Sequence, residues 1–234
     1  MVTYKLAELG DRIFHKSEIA SFDVDPQNCF TPLCMGELPV PRGDEIVDEL
    51  NKQAEIGDWR VGSKDAHSMS SLWVDTDQMP QFTPIQGYED LDVRWRLHGV
   101  PGTFGFQLVK GLPSITEYDY FVWKGIETNI HPYGACYHDL KLHPSKKRRM
   151  STGVIEFFKI NGITVVIVGG LATDYCVYQT VLQLQEAGFI VILNLGACRG
   201  IAEDTTKKAI DQMKAAGAII VNSASEIVIE GVTA

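Results

Sequence analysis

Three side chains of complementary chemistry each follow a short apolar run in this 234-residue chain: Asp25, Lys124 and Cys176. A cysteine can attack a carbonyl carbon, and a nearby carboxylate can accept the thiol proton and later deliver it to a leaving amine. A lysine ammonium group between them would favour the ionised form of both. Together these residue types indicate cleavage of a small amide through a covalent cysteine intermediate.

Cys176 is predicted in the first turn of a helix that follows a buried strand. Residues 163–168 form a continuous, β-branched apolar run, which is typical of a central strand in a parallel sheet. Two glycines interrupt the run, and apolar residues then recur at helical spacing until Gly188. The unpaired N–H groups at the start of a helix favour a thiolate. A buried structural cysteine is the alternative, since free cysteines are often core residues.

Asp25 and Lys124 are predicted at the ends of two other strands. Residues 20–24 form a short strand that Pro26 ends, and residues 118–123 form an aromatic strand that runs into Lys124. Open α/β sheets bind their ligands at the carboxyl ends of the strands. The alternatives are an aspartate that caps a turn and a solvent-facing lysine at a strand end.

The remaining elements position these strand ends. Further strands are predicted at residues 59–63, 189–195 and 218–222, and helices at 43–56, 103–109, 151–161 and 203–216. This alternation predicts an α/β protein, a single three-layer αβα domain over residues 1–234 whose mostly parallel central sheet has about six strands and helices on both faces. Residues 1–20 are predicted as a partly helical N-terminal extension, and residues 68–93 and 126–150 as long loops.

Composition predicts a cytoplasmic protein. The formal net charge of -9 disfavours nucleic acid and anionic membrane surfaces as partners. No stretch approaches the roughly 18 apolar residues of a membrane span, and the first residues lack the apolar centre of a signal peptide. Five cysteines without framework spacing suit reduced thiols.

Three motifs surround the residues proposed for chemistry. They are Asp25-Pro26-Gln27-Asn28-Cys29-Phe30, Trp123-Lys124-Gly125 and Gly170-Leu171-Ala172-Thr173-Asp174-Tyr175-Cys176-Val177. The chain resembles the isochorismatase-like cysteine hydrolases in these motifs, and the resemblance spans residues 21–222. It implies a catalytic triad of Cys176, Asp25 and Lys124 and a cis peptide bond between Leu171 and Ala172. The backbone N–H groups of Ala172 and Cys176 are expected to form the oxyanion hole.

A second set of residues resembles the metal site of the nicotinamidases within that family. Asp65-Ala66-His67 follows the second predicted strand, and His98 comes three residues after Trp95. The resemblance implies that Asp65, His67 and His98 bind a divalent ion, with zinc expected and Fe²⁺ or Mn²⁺ as alternatives. A capping aspartate and packing histidines are the competing interpretation. The histidines without compact ligand spacing are predicted as surface or packing residues: His131, His138 and His143.

The resemblance also implies a substrate and an assembly state. It implies hydrolysis of nicotinamide to nicotinate and ammonia, as in NAD salvage, by a homo-oligomer. The pyridine ring is expected between Phe30 and Trp95, with Leu171 and Tyr175 adding to the wall of the pocket.

Other interpretations stay open, because the chain departs from the family pattern near the expected ring pocket. Ala66 replaces an aromatic residue, and Gly99 stands where a cysteine is common. A cysteine amidohydrolase acting on another small amide or carbamoyl compound is therefore the first alternative. A non-catalytic binding module is the second.

Overall fold

The computed structural model describes residues 3–5, 13–140 and 149–227, and a parallel sheet forms its centre. The strands of the described chain are β1 (Thr3–Lys5), β2 (Ile13–His15), β3 (Ile19–Val24), β4 (Trp59–Asp65), β5 (Tyr120–Lys124), β6 (Val165–Leu171), β7 (Ile190–Arg199) and β8 (Ile219–Val221). Its α-helices are α1 (Val47–Ala54), α2 (Val154–Ile160), α3 (Tyr178–Glu186) and α4 (Glu203–Ala215). The central sheet has the order β5-β4-β3-β6-β7-β8, and every neighbouring pair in it is parallel. The predicted six-stranded α/β sheet is confirmed.

The sheet is buried on both faces, as the continuous apolar run in β6 predicts. All seven residues of β6 are buried. On one face, Val166 and Val168 belong to the same core as Phe158 of α2 and Leu184 of α3. The opposite face of β6 contributes to a second, smaller core. Burial of β-branched side chains on alternating faces stabilises the strand positions that determine where the site lies.

The direction of chain progression across the sheet reverses between β3 and β6. The chain proceeds outward from β3 through β4 to β5, then returns to the other side of β3 and proceeds through β6 and β7 to β8. Crevices form at the carboxyl ends of strands beside such a reversal. β3 is followed there by Asp25, β4 and β5 end on Asp65 and Lys124, and β6 is followed by the segment that carries Cys176.

The predicted helix at residues 103–109 is wrong. The backbone of this segment bonds instead to the turn after β3: the Asn28 N–H donates to the Gln107 carbonyl (2.9 Å), and the Val109 N–H donates to the Pro26 carbonyl (2.9 Å). These long-range bonds replace the local bonds that a helix needs.

The N-terminal prediction also changes. Residues 3–5 and 13–15 form an antiparallel pair of strands rather than a helix, while residues 1–2 and 6–12 of the predicted extension lie outside the described residues. His143 and the rest of 141–148 in the second predicted loop also lie outside them. Among the described helices, none is long and apolar enough to cross a bilayer.

Candidate active site and metal centre

The structure brings Asp25, Lys124 and Cys176 together in a buried cluster. Lys124 Nζ lies 3.0 Å from Asp25 Oδ2 and 3.6 Å from Cys176 Sγ. It also donates a hydrogen bond to the Pro132 carbonyl (3.1 Å) and forms an ion pair with Asp65. Burying an ammonium group is costly unless it is paired and hydrogen-bonded, and these partners meet that condition.

Asp25 is oriented so that one of its carboxylate oxygens is available for proton transfer. Its backbone has a left-handed φ of 45°, in the turn that leaves β3. The Ser63 hydroxyl donates to Oδ1 (2.6 Å), and the Asp25 N–H donates to that same hydroxyl oxygen (3.2 Å). Oδ2 then faces Lys124, and a carboxylate oxygen of Asp25 lies within 4.8 Å of Cys176 Sγ.

The protonation states differ from the expectation of a resting thiolate. Burial raises the pKa of Cys176 well above its usual value, although Lys124 opposes the effect, so the thiol keeps its proton. Burial also raises the pKa of Asp25, to about 6, which makes this carboxylate a base near neutral pH. Burial alone would lower the pKa of Lys124, but the charges of Asp25 and Asp65 hold it well above its usual range. The arrangement is a thiol beside a carboxylate base, with a permanently charged lysine between them.

Asp65, His67 and His98 form a second buried cluster next to the first. Asp65 Oδ2 lies 3.5 Å from His67 Nε2 and 3.6 Å from His98 Nε2. His67 Nδ1 lies 2.9 Å from the Gly125 carbonyl, and His98 Nδ1 lies 2.7 Å from the Arg96 carbonyl. Because a carbonyl only accepts hydrogen bonds, both Nδ1 atoms carry a proton, and both Nε2 atoms face Asp65.

This donor set fits a divalent metal ion. His67 Nε2 is buried and has no hydrogen-bond partner within the described part of the chain. Histidines that bind metals commonly donate their second ring N–H to a backbone carbonyl, which fixes the orientation of the ring. The Nδ1 atoms of His67 and His98 make this kind of contact, and their Nε2 atoms face the carboxylate of Asp65. A zinc-type ion that accepts lone pairs from both imidazoles and from Asp65 would satisfy these buried atoms.

The close approach of His67 explains why residue 125, directly after Lys124, is a glycine. It has a φ of 73°, and a Cβ at this position would overlap the His67 ring. The absence of a side chain lets the Gly125 carbonyl approach His67 Nδ1 and orient the ring.

His131 also lies at this cluster, although its spacing predicted a surface or packing residue. Its side chain is buried, at 3% exposure, and its ring stacks on that of His67 with 5.0 Å between centroids. One ring nitrogen each of His67, His98 and His131 lie within 4.8 Å of one another. Burial, His67 and His98 hold the pKa of His131 well below its usual value, so it is neutral.

A small cavity opens onto both clusters. Its lining includes Cys176, Ala172, Asp65 and His98, together with the aromatic residues Phe30, Trp95 and Tyr175. The aromatic residues in its lining suit contact with a single planar ring. Sequence reasoning did not identify four of the lining residues: Leu38, His131, Tyr133 and Ile201.

The segment before Cys176 has the predicted cis peptide bond between Leu171 and Ala172. Leu171 itself was expected in the ring pocket, but its side chain is fully buried, and Ala172 is the residue that lines the cavity. Leu171 Cδ1 lies 3.4 Å from the position that a Cβ on Gly43 would occupy. Leu171 therefore belongs to the core beneath the site.

Comparisons with known proteins agree with this geometry. A family model described as the isochorismatase domain matches residues 126–225. The nicotinamidase of Escherichia coli is 30% identical over 209 residues, which cover 84% of this chain and 91% of that protein. A nicotinamidase/pyrazinamidase structure from Acinetobacter baumannii superposes with a TM-score of 0.79 at 26% identity, covering 91% of this chain and 99% of that one. A Pyrococcus horikoshii pyrazinamidase in complex with zinc gives a TM-score of 0.66 at 27% identity, covering 87% and 98%.

Proposed function

Since this chain belongs to the nicotinamidases of the isochorismatase-like hydrolase family, we propose that it hydrolyses nicotinamide to nicotinate and ammonia. The observation that carries the proposal is the buried contact of Lys124 with both Asp25 and Cys176, with Cys176 on the wall of an aromatic cavity. The cavity suits a planar pyridine ring, and its reactive thiol suits the carboxamide attached to that ring.

The first half of the reaction forms a thioester. Asp25 removes the proton from Cys176, and the sulfur attacks the carboxamide carbon. The backbone N–H groups of Ala172 and Cys176 stabilise the negative charge on the carbonyl oxygen. Asp25 then returns the proton to the amide nitrogen, the C–N bond breaks and ammonia leaves. Lys124 keeps its charge throughout and fixes the positions of the carboxylate and the sulfur.

The second half reverses the roles of the same groups. Asp25 takes a proton from a water molecule, whose oxygen attacks the thioester carbon. The C–S bond breaks, the sulfur recovers a proton through Asp25, and nicotinate leaves. Each proton that Asp25 accepts is returned within the same half-reaction, so the enzyme ends in its starting state.

Asp65, His67 and His98 hold a divalent ion in this proposal, with zinc expected and Fe²⁺ or Mn²⁺ as alternatives. The zinc in the Pyrococcus horikoshii relative supports this assignment. When bound, the ion supplies a Lewis acid that orients a nitrogen heterocycle beside the thiol. Phe30, Trp95 and Tyr175 hold the ring by aromatic contact.

The wider setting follows from the reaction. Nicotinate is a precursor that NAD salvage consumes, and we place the enzyme in that pathway. We also place it in the cytoplasm, because its five free cysteines would stay reduced there. We also propose that residues 1–234 act as one domain and assemble as a homo-oligomer, as expected from the family.

Ammonia release from nicotinamide by metal-loaded, chelated and reloaded protein tests the proposal. We expect turnover that chelation abolishes and zinc restores. A panel of small carbamoyl compounds serves as the comparison. Metal-loaded protein that hydrolyses a carbamoyl compound but not nicotinamide would replace the proposed substrate while keeping the chemistry of Cys176.

A further inference from the structure

We propose that His131 is an additional ligand of the metal ion, contributed by the loop after β5. The inference rests on the metal centre of the proposed function and extends it from three protein donors to four. The set then contains the carboxylate of Asp65 and the imidazoles of His67, His98 and His131.

The first argument is the unsatisfied state of His131. Its ring is 3% exposed, and neither Nδ1 nor Nε2 has a hydrogen-bond partner among the residues that the structure describes. A neutral imidazole has one N–H donor and one lone pair, and leaving both unpaired in a buried position costs free energy. Simple packing therefore does not account for a histidine here, because an apolar ring would fill the space without that cost.

The second argument is position. A ring nitrogen of His131 lies within 4.8 Å of ring nitrogens of both His67 and His98. The Nε2 atoms of those two residues face Asp65, and His67 Nε2 has no hydrogen-bond partner among the described residues. Within the described residues, His67 Nε2 and both ring nitrogens of His131 have no hydrogen-bond partner, although they are buried side by side. A cation bound by one nitrogen of each imidazole would give these buried atoms a partner.

The third argument is that the His131 segment is fixed to the site at three successive residues. The His131 N–H donates to the Asp90 carbonyl (3.0 Å), and the Pro132 carbonyl accepts from Lys124 Nζ (3.1 Å). The Tyr133 hydroxyl accepts from Trp95 Nε1 (3.0 Å). The loop therefore holds His131 at the cluster before any ion binds, which lowers the entropic cost of ligation.

The added imidazole changes the chemistry of the centre. Three nitrogen donors and one oxygen donor favour zinc or cobalt over Mn²⁺ and Mg²⁺, which prefer oxygen ligands. His131 thus makes the site more selective for its metal than Asp65, His67 and His98 alone.

Zinc affinity tests the inference without relying on activity. The dissociation constant is measured by competition with a chromophoric chelator for wild type, His131→Ala, His131→Asn, His98→Ala and His138→Ala. His138 lies in the same loop outside the cluster and provides the matched control. We expect both His131 variants and His98→Ala to lose about 100-fold in affinity, and His138→Ala to match wild type. The visible spectrum of the Co²⁺-loaded protein should also change in the His131 variants.

The outcomes separate this inference from the metal centre itself. Wild-type zinc affinity in a folded His131→Asn protein, together with weak binding by His98→Ala, would overturn the role of His131 and leave the three-residue centre intact. Absence of zinc binding by wild type would overturn both metal assignments, while ammonia release from nicotinamide would still decide the proposed activity. Thermal unfolding of the metal-free proteins identifies any variant that fails to fold, and the asparagine variant then replaces the alanine variant.

Discussion

Asp65 and Lys124 form a buried ion pair that joins the proposed catalytic triad to the proposed metal centre. Asp65 Oδ1 contacts Lys124 Nζ, while Oδ2 faces His67 and His98. Burial alone would raise the pKa of Asp65, but Lys124 and His67 hold it well below its usual range, so the carboxylate stays ionised. The Asp65 side chain thus belongs to both clusters, and its negative charge pairs with Lys124 of the triad while it faces the two histidines of the metal centre.

Asp65→Asn should therefore impair both clusters. The amide keeps the shape of the side chain but removes the charge, and we expect zinc affinity to fall about 100-fold. We also expect kcat at saturating zinc to stay at least about 10-fold below wild type, because Lys124 loses one of its two carboxylate partners. Zinc titration followed by ammonia assay checks this. Full recovery of kcat on zinc saturation would show that the ion pair has no catalytic role.

The pH dependence should report the carboxylate of Asp25. Its pKa of about 6 predicts that kcat/KM rises with pH through that value, since the protonated carboxyl cannot accept the thiol proton. Ser63 donates to the ionised form and so lowers the pKa of Asp25. Ser63→Ala should raise that pKa and move the acidic limb of the kcat/KM profile to higher pH by roughly one unit. An unmoved limb would assign this titration to another group.

Tyr133→Phe should weaken substrate binding more than chemistry. The variant removes the acceptor of the Trp95 indole N–H and the donor to the Asp92 carboxylate (2.9 Å), and it loosens one wall of the cavity. We expect KM to rise several-fold, about 1 kcal/mol of binding free energy, with kcat nearly unchanged. Tyr120→Phe is the matched control, because its hydroxyl also donates one hydrogen bond, to the Thr152 carbonyl, and Tyr120 does not line the cavity. Equal KM values in the two variants would argue against a positioning role for Tyr133.

The sequence predicts the strand ends well because their signals are local. The proline after β3 correctly marks the end of that strand, whereas the apolar run of β6 ends at Val168 and the strand continues to Leu171. Parallel strands whose carboxyl ends meet at one edge bring Asp25, Lys124 and Cys176 together. The Asp65-Ala66-His67 motif is likewise local, since it continues directly from β4.

Features that depend on distant contacts are not predictable in this way. His131 reaches His67 through a loop that is anchored by Asp90 and Lys124, and no spacing in the chain signals that contact. The segment 103–109 has apolar residues, but its backbone forms a single turn at Phe104–Gln107 and otherwise bonds to the turn after β3. The thiol state of Cys176 depends on its burial, which the helix position alone does not reveal.

The most direct test of the account is ammonia release from nicotinamide by zinc-loaded wild type, Cys176→Ala and Cys136→Ala. Cys136 is a buried cysteine outside the cavity and controls for general effects of removing a thiol. We expect Cys136→Ala to retain turnover and Cys176→Ala to lose at least about 1,000-fold in kcat. The unfolding temperature of Cys176→Ala should stay close to that of wild type. Turnover by Cys176→Ala at a rate near that of wild type would contradict the proposed thioester mechanism.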